Sequence, residues 1–296
     1  MRQRLLILCP GQGGQHGAMF EPVRTAALLE RLDLTLAPET LFTNRVAQPL
    51  VVAASLAMWE AIRDFAPAPA LVAGYSIGEL AAYGVAGALA PHEVVALAAT
   101  RAALMDACLE NRPGQALAAI SGLALARVRE LIADDLFVVA IETGEDSCIA
   151  GGPAAGLEAL AARIAAAGAR LARLAVDVAS HTPYMAPAVA PFAAALRACT
   201  FQAQQVPVLS GIAACEVQGK AAAVEHLSRQ LAEKIVWMDC MDACAEAGVT
   251  VALELGPGAA LARMLQARHP GIACRSVADF RTLDGIGQWL QRQCAP

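Results

Sequence analysis

Leu71-Val72-Ala73-Gly74-Tyr75-Ser76-Ile77-Gly78-Glu79-Leu80 passes from a short apolar run, through a tight glycine-bounded turn, into a helical pattern that continues to about Ala86. A continuous apolar run of that length ending on glycine is the pattern of a strand buried on both faces, as in a parallel sheet. The same theme occurs near the start, where Leu5-Leu6-Ile7-Leu8 breaks into Pro10-Gly11-Gln12-Gly13-Gly14. Strand, turn and helix in alternation predict an α/β domain. The pattern resumes late in the chain, with helix from Pro183 to Ala198, strand from Val206 to Ser210, helix from Leu227 to Glu233 and strand from Val249 to Leu255.

The middle has a different rhythm. Ala116 to Ser121 reads as strand, Leu125 to Ile132 as helix, Phe137 to Glu142 and Ser147 to Gly151 as strands, Leu157 to Ala167 as helix and Arg170 to Val178 as strand. The order βαββαβ is the split-βαβ, ferredoxin-like arrangement, complete in itself. The expected organisation is therefore a discontinuous α/β domain, 1–115 and 181–296, carrying an inserted ferredoxin-like subdomain at 116–180.

Composition excludes several classes. The 296 residues carry 22 Lys plus Arg against 27 Asp plus Glu, a formal charge of −5 with no basic block, which argues against a nucleic-acid footprint. Hydrophobic content is 57%, but every long apolar stretch is interrupted: Gln48 and Pro49 cut Val46 to Trp59, and Ser76, Glu79 and four glycines cut Leu71 to Ala90. Neither stretch reads as a membrane span, and the apolar run Leu5 to Cys9 is too short for a signal-peptide core, so a cytoplasmic chain is expected. The nine cysteines are scattered, with Cys240 and Cys244 one helical turn apart and no histidine beside them. Neither a zinc spacing nor a disulfide framework is present, and reduced, mostly buried thiols with no metal are expected.

Three features carry chemistry. Gly74-Tyr75-Ser76-Ile77-Gly78 fits Gly-x-Ser-x-Gly between a strand and a helix, the context of a nucleophile elbow, where a strained turn lifts the serine oxygen to the helix N-terminus. Such a serine needs a base. Of five histidines, His16, His92, His226 and His269 stand in polar or helix-start contexts, whereas His181 falls between a strand and the helix start Thr182-Pro183. Third, a helix opening at Pro91 and running to about Leu109 places Val94, Leu97, Arg101, Leu104 and Cys108 on one apolar stripe, where an arginine either snorkels or meets an anion. The Gly11-Gln12-Gly13-Gly14-Gln15 loop narrowly misses a dinucleotide fingerprint because His16 takes the last glycine position. Its N–H groups can instead form half of an oxyanion hole. Gly256-Pro257-Gly258 reads as a turn into a helix from Leu261 to Ala267.

Taken together in chain order, Pro10 to Gln15, Gln48-Pro49, Gly74 to Glu79, Arg101, Ser180-His181, Gln230 and Glu254-Leu255-Gly256-Pro257-Gly258 resemble the malonyl-CoA:acyl-carrier-protein transacylase family over essentially the full length. The resemblance implies an α/β-hydrolase-like large domain with a ferredoxin-like insert. It also implies Ser76 as nucleophile, His181 as base, and Gln230 orienting the imidazole through its carbonyl. Backbone N–H groups of Gln12 and Ile77 would hold the oxyanion, with Arg101 and Gln48 on the substrate side. Malonyl-CoA would be the substrate, an acyl carrier protein the partner, and no cofactor would be bound permanently. Two departures stand out: Tyr75 where the family usually has histidine, and Glu142, within Ala140 to Gly144, where an amide is expected. These and the compact length resemble the malonate decarboxylase epsilon branch, which serves a dedicated carrier subunit. The general transacylase of fatty-acid synthesis is the alternative. A serine thioesterase would also use the elbow, but one acting on neutral acyl groups has no use for the charge of Arg101.

Overall fold

The computed structural model describes residues 3–23, 27–29, 40–133 and 136–294. In chain order its strands and α-helices are β1 (Leu5–Cys9), α1 (Asn44–Ile62), β2 (Leu71–Gly74), α2 (Ile77–Val85), α3 (Pro91–Asn111), β3 (Gln115–Ser121), α4 (Leu125–Ile132), β4 (Val138–Gly144), β5 (Ser147–Pro153), α5 (Leu157–Ala166), β6 (Arg170–Arg173), α6 (Ala186–Ala198), β7 (Val208–Leu209), β8 (Glu216–Val217), α7 (Lys220–Arg229), α8 (Trp237–Glu246), β9 (Val251–Glu254), α9 (Ala260–Arg268), β10 (Ala273–Ser276) and α10 (Leu283–Cys294).

The large sheet has the order β10-β9-β1-β2-β7-β8, parallel from β10 to β7, with β8 added antiparallel at the edge. Strand alternation divides β1 between two cores, as expected of a sheet covered on both faces. Leu5, Ile7 and Cys9 pack with residues of α1, α2 and α3, while Leu6 and Leu8 pack with residues of α8 and α9. The register pairs Cys9 with Gly74 and Leu8 with Glu254, so β1, β2 and β9 end together. The loops that follow them share the carboxyl edge of the sheet, where α/β folds place their sites.

The insert forms its own sheet, β4-β5-β3-β6, with every neighbouring pair antiparallel, and packs Val128 and Ile132 of α4 and Leu160 and Ile164 of α5 on one face. This is the expected ferredoxin-like order. It is joined to the large sheet's layer by a short parallel bridge, in which Glu142 N–H donates to Ile235 O (2.9 Å) and Ile235 N–H to Ala140 O (3.0 Å).

Several boundaries differ from the sequence reading. The strand expected to reach Val178 leaves the sheet after Arg173, and Val178 packs in the main core instead, returning the chain to the large domain just before His181. The strand expected from Val206 shrinks to Val208–Leu209, since Pro207 has no N–H for a ladder. The helix expected from Leu227 starts seven residues earlier, after Gly219 at φ 79°, and stops at Arg229, leaving Gln230 as its cap. Pro183–Met185 is a 3-10 turn ahead of α6, with Thr182 Oγ1 accepting from Tyr184 N–H as the expected N-cap. No described helix is long and apolar enough to cross a membrane. The nine cysteines are free, five of them buried. Among the described residues, no group of histidines, cysteines and carboxylates could hold a metal.

Candidate active site

The turn between β2 and α2 is built by the absence of side chains. A Cβ on Gly74 would stand 2.2 Å from the Glu79 nitrogen, and one on Gly78 would stand 2.1 Å from Cys9 O and 2.6 Å from Pro10 O. Both obstacles are backbone and cannot yield. Gly78→Ala is therefore expected to cost at least about 1–3 kcal/mol, seen as a fall of several degrees in Tm. An unchanged Tm would contradict this tight packing. Between the glycines, Ser76 is held at φ 55°, ψ −118°, a conformation that a non-glycine residue adopts only under constraint.

His181 meets it from the other half of the large domain. The Ser76 Oγ lies 2.7 Å from His181 Nε2, and His181 Nδ1 lies 2.6 Å from the backbone carbonyl of Gln230. A carbonyl only accepts, so Nδ1 carries the proton and Nε2 is left as the acceptor for the serine hydroxyl. The His181 backbone, at φ 61°, is pinned by its N–H on Leu231 O at 2.8 Å. Burial, and then the nearby charge of Arg101, push the imidazole pKa down to about 3, so the ring is neutral at physiological pH.

Ile77 opens α2, so its N–H lies in a first turn that has no intrahelical acceptor, next to Ser76. The 11–15 loop abuts the elbow: a Cβ on Gly11 would stand 2.9 Å from Tyr75 O and 3.7 Å from the Ser76 Cβ. Gln12 is half-buried and its amide nitrogen has no partner among the described residues. Gln15 braces the loop, accepting from Gly13 N–H (2.6 Å) and donating to Leu41 O (3.1 Å).

Arg101 does not snorkel. It is 2% exposed and donates to Gln48 Oε1 (2.8 Å), Met105 Sδ (3.3 Å) and Gln230 Oε1 (3.3 Å). Each acceptor is neutral, and no described carboxylate lies within ion-pair distance of the guanidinium. Burial lowers its pKa to about 10, so it remains cationic. Gln48 is fully buried and among the described residues touches the site through Arg101; its amide is held by Asn44 Oδ1 (2.6 Å) and Met105 Sδ (3.3 Å), and Asn44 in turn donates to Asp106 (2.8 Å). The sequence reading missed Asn44, Met105 and Asp106. The last two follow Arg101 on α3 by four and five residues, a spacing that could have found Met105.

Residues 20–292 match the sequence profile of the acyl transferase domain. The chain belongs to this acyltransferase family. It is 33% identical to a malonyl CoA-acyl carrier protein transacylase of Mycobacterium tuberculosis, over 95% of this chain and 99% of that protein. It is 28% identical to the enzyme of the same name from Bacillus subtilis, over 98% of each. The crystal structure of MCAT from Mycobacterium tuberculosis superimposes with a TM-score of 0.89 at 31% identity, covering 96% of this chain and 100% of the other. A malonyl-transacylase solved in complex with a type II polyketide synthase acyl-carrier protein gives 0.88 at 26% identity, covering 97% and 99%.

The two departures have local partners in this acyltransferase. Tyr75 stands edge-on to Trp237, ring centroids 5.2 Å apart. Glu142 is buried between Arg129 of α4 and Lys234 Nζ (2.6 Å), tying the insert to the segment just after Gln230. The remaining histidines lie elsewhere: His16 and His92 are exposed, while His226 bonds Ser210 Oγ and His269 bonds Asp242, each at 2.8 Å.

Proposed function

We propose that this acyltransferase moves a malonyl group from malonyl-CoA to the prosthetic-group thiol of an acyl carrier protein through a malonyl-serine intermediate. The observation that carries the reading is the buried cation Arg101, held among the described residues only by neutral acceptors and sharing Gln230 with the imidazole of His181. A buried guanidinium that no carboxylate touches directly among the described residues, with only the Coulombic attraction of Glu79 beyond Gln230, is costly, and an acyl carboxylate at this position offsets that cost with a bidentate, charge-assisted pair.

The geometry supports the following steps. Ser76 Oγ attacks the thioester carbonyl while its proton passes to His181 Nε2, and the Nδ1–H bond to Gln230 O steadies the imidazolium that forms. N–H groups of Ile77 and Gln12 receive the oxyanion, at about 3 kcal/mol per donor. The C–S bond then breaks, the proton on Nε2 goes to the CoA sulfur, and the acyl group stays on the serine. The carrier thiol enters by the reverse sequence. Gln48 acts as a positioning residue, orienting Arg101 from behind. A domain division at 115/116 and 180/181 would place the acyl chain at the mouth between the large domain and the insert.

The relatives' descriptions favour a transacylase serving a general acyl carrier protein over the malonate decarboxylase subunit suggested by Tyr75 and Glu142. The test is to load the enzyme with labelled malonyl-CoA and then offer holo carrier protein. Label should move to the carrier and stay on the enzyme without it. Release of free malonate at the same rate with or without a thiol would make the enzyme a hydrolase. The pH dependence offers a second check. A base with its pKa near 3 stays deprotonated through the acid range, so labelling of Ser76 by a neutral fluorophosphonate should be nearly flat from about pH 5 to 8. Loss of half the rate between about pH 6 and 7 would assign the base to an ordinary histidine.

A further inference from the structure

Glu79, the first acidic residue of α2, is wholly buried directly behind the elbow. One oxygen, Oε2, takes two donors: the Gln230 amide at 2.6 Å and the Gly211 N–H at 2.9 Å. The other, Oε1, has no partner among the described residues. A carboxyl taken from water at such cost, with half its accepting capacity unused, is not there for packing.

Its effect is visible on Gln230. That amide donates to Glu79 and to Ser76 O (3.2 Å), while its oxygen accepts from Arg101 (3.3 Å). Turning the amide over would set NH2 against the guanidinium and oxygen against the carboxyl, so Glu79 fixes which way Gln230 faces. The backbone carbonyl of the same residue holds His181. An incoming carboxylate on Arg101 takes over the donor that Gln230 Oε1 now uses, and Glu79 then becomes the main anchor of that side chain.

We propose that Glu79 is a positioning residue. It keeps Gln230, and through it the His181 imidazole, in place while Arg101 is handed from Gln230 to the acyl carboxylate, and its charge balances Arg101 until that carboxylate arrives. The second half of this statement rests on the malonyl reading; the first does not.

Arg101 on α3 is the charge facing Glu79, with Tyr83 on its own helix and Cys240 on α8 as the other titratable neighbours. Burial pushes the last two up, so both are neutral near pH 7. Burial also raises Glu79 to about 7, against the lowering effects of Gly211, Gln230 and Arg101. Above that pH the added carboxylate on Arg101 must share the site with an ionised Glu79, so KM for malonyl-CoA should rise as pH passes upward through about 7.

The experiment compares wild type with Glu79→Ala and Glu79→Gln, each checked for folding by circular dichroism. The first readout is the rate of Ser76 labelling by a neutral fluorophosphonate, which needs the imidazole but not malonyl recognition. Glu79→Ala should lose about tenfold or more, and Glu79→Gln should recover most of that loss, since a glutamine oxygen can still accept from Gln230 and Gly211. A folded Glu79→Ala that labels at the wild-type rate overturns the positioning role. The second readout is KM for malonyl-CoA between about pH 6 and 8. The rise should be absent in Glu79→Gln, and an unchanged rise overturns the charge-balancing role. Should the alanine variant not fold, the glutamine variant still decides the charge-balancing role through KM, and Glu79→Asp, whose shorter side chain withdraws the acceptor from Gln230, replaces the alanine variant in the labelling assay, where a wild-type rate overturns the positioning role. Should wild type not accept malonyl-CoA at all, the functional reading fails while the labelling comparison still judges Glu79.

Discussion

Replacing Ser76 by alanine is expected to abolish formation of the acyl-enzyme and to lower transfer by about four orders of magnitude or more, with little change in fold. The oxygen is the only heavy atom removed, and it lies 2.7 Å from His181 Nε2, the base in the proposed mechanism. What remains is the oxyanion donors and substrate binding, which in serine-nucleophile enzymes leave only a residual rate over water. Alanine also relieves none of the constraint at φ 55°, so Tm should move little. The check is intact-mass analysis after malonyl-CoA treatment together with transfer kinetics. A variant that still carries an acyl adduct would move the nucleophile to another residue.

Replacing Arg101 by alanine is expected to act on the acyl group and not on the serine. Loss of one partner of a desolvated charge pair costs about 2–5 kcal/mol, so kcat/KM for malonyl-CoA should fall by about thirtyfold to several thousandfold. Acetyl-CoA offers no carboxylate and should lose far less, or gain. The substitution also leaves Gln48 Oε1 without its 2.8 Å donor and leaves a cavity beside Met105, so a moderate fall in Tm should accompany it. Competition between malonyl-CoA and acetyl-CoA reads the selectivity directly. Equal losses for both donors would remove Arg101 from recognition and leave it a structural role.

Much of this site was legible before any coordinates, for identifiable physical reasons. The elbow is a local device: a strand, two glycines forced by backbone approaches of 2.1 and 2.2 Å, and a helix start all lie within ten residues. The insert was equally legible, because its short apolar strand runs and two helices follow one another in the βαββαβ order and each helix buries one stripe. Arg101 declared itself by interrupting an apolar stripe, but periodicity alone left open whether it snorkels or meets an anion. Its acceptors decide that question, and Gln48 and Gln230 lie 53 and 129 residues away in sequence. Glu79 was visible only as the end of a motif, since its partners Gly211 and Gln230 come from segments more than a hundred residues downstream. The helix α1 gave little signal because Pro49 lies inside it and its apolar residues cover nearly every face. The end of α7 is hard to place because the chain keeps turning past Arg229, with Glu233 N–H still bonded to Arg229 O, while the Gln230 carbonyl accepts from His181 instead of continuing the helix.

The central claim is that one acyl chain reaches both the Ser76–His181 pair and the Arg101 fork. The most direct measurement is a crystal structure of the enzyme acylated by malonyl-CoA, trapped in the absence of a thiol acceptor. The account predicts the ester on Ser76, its carbonyl oxygen against the N–H groups of Ile77 and Gln12, and the free carboxylate paired with Arg101, with Gln230 still held by Glu79. A carboxylate pointing into solvent, with Arg101 still bound to Gln48 and Gln230, would contradict it.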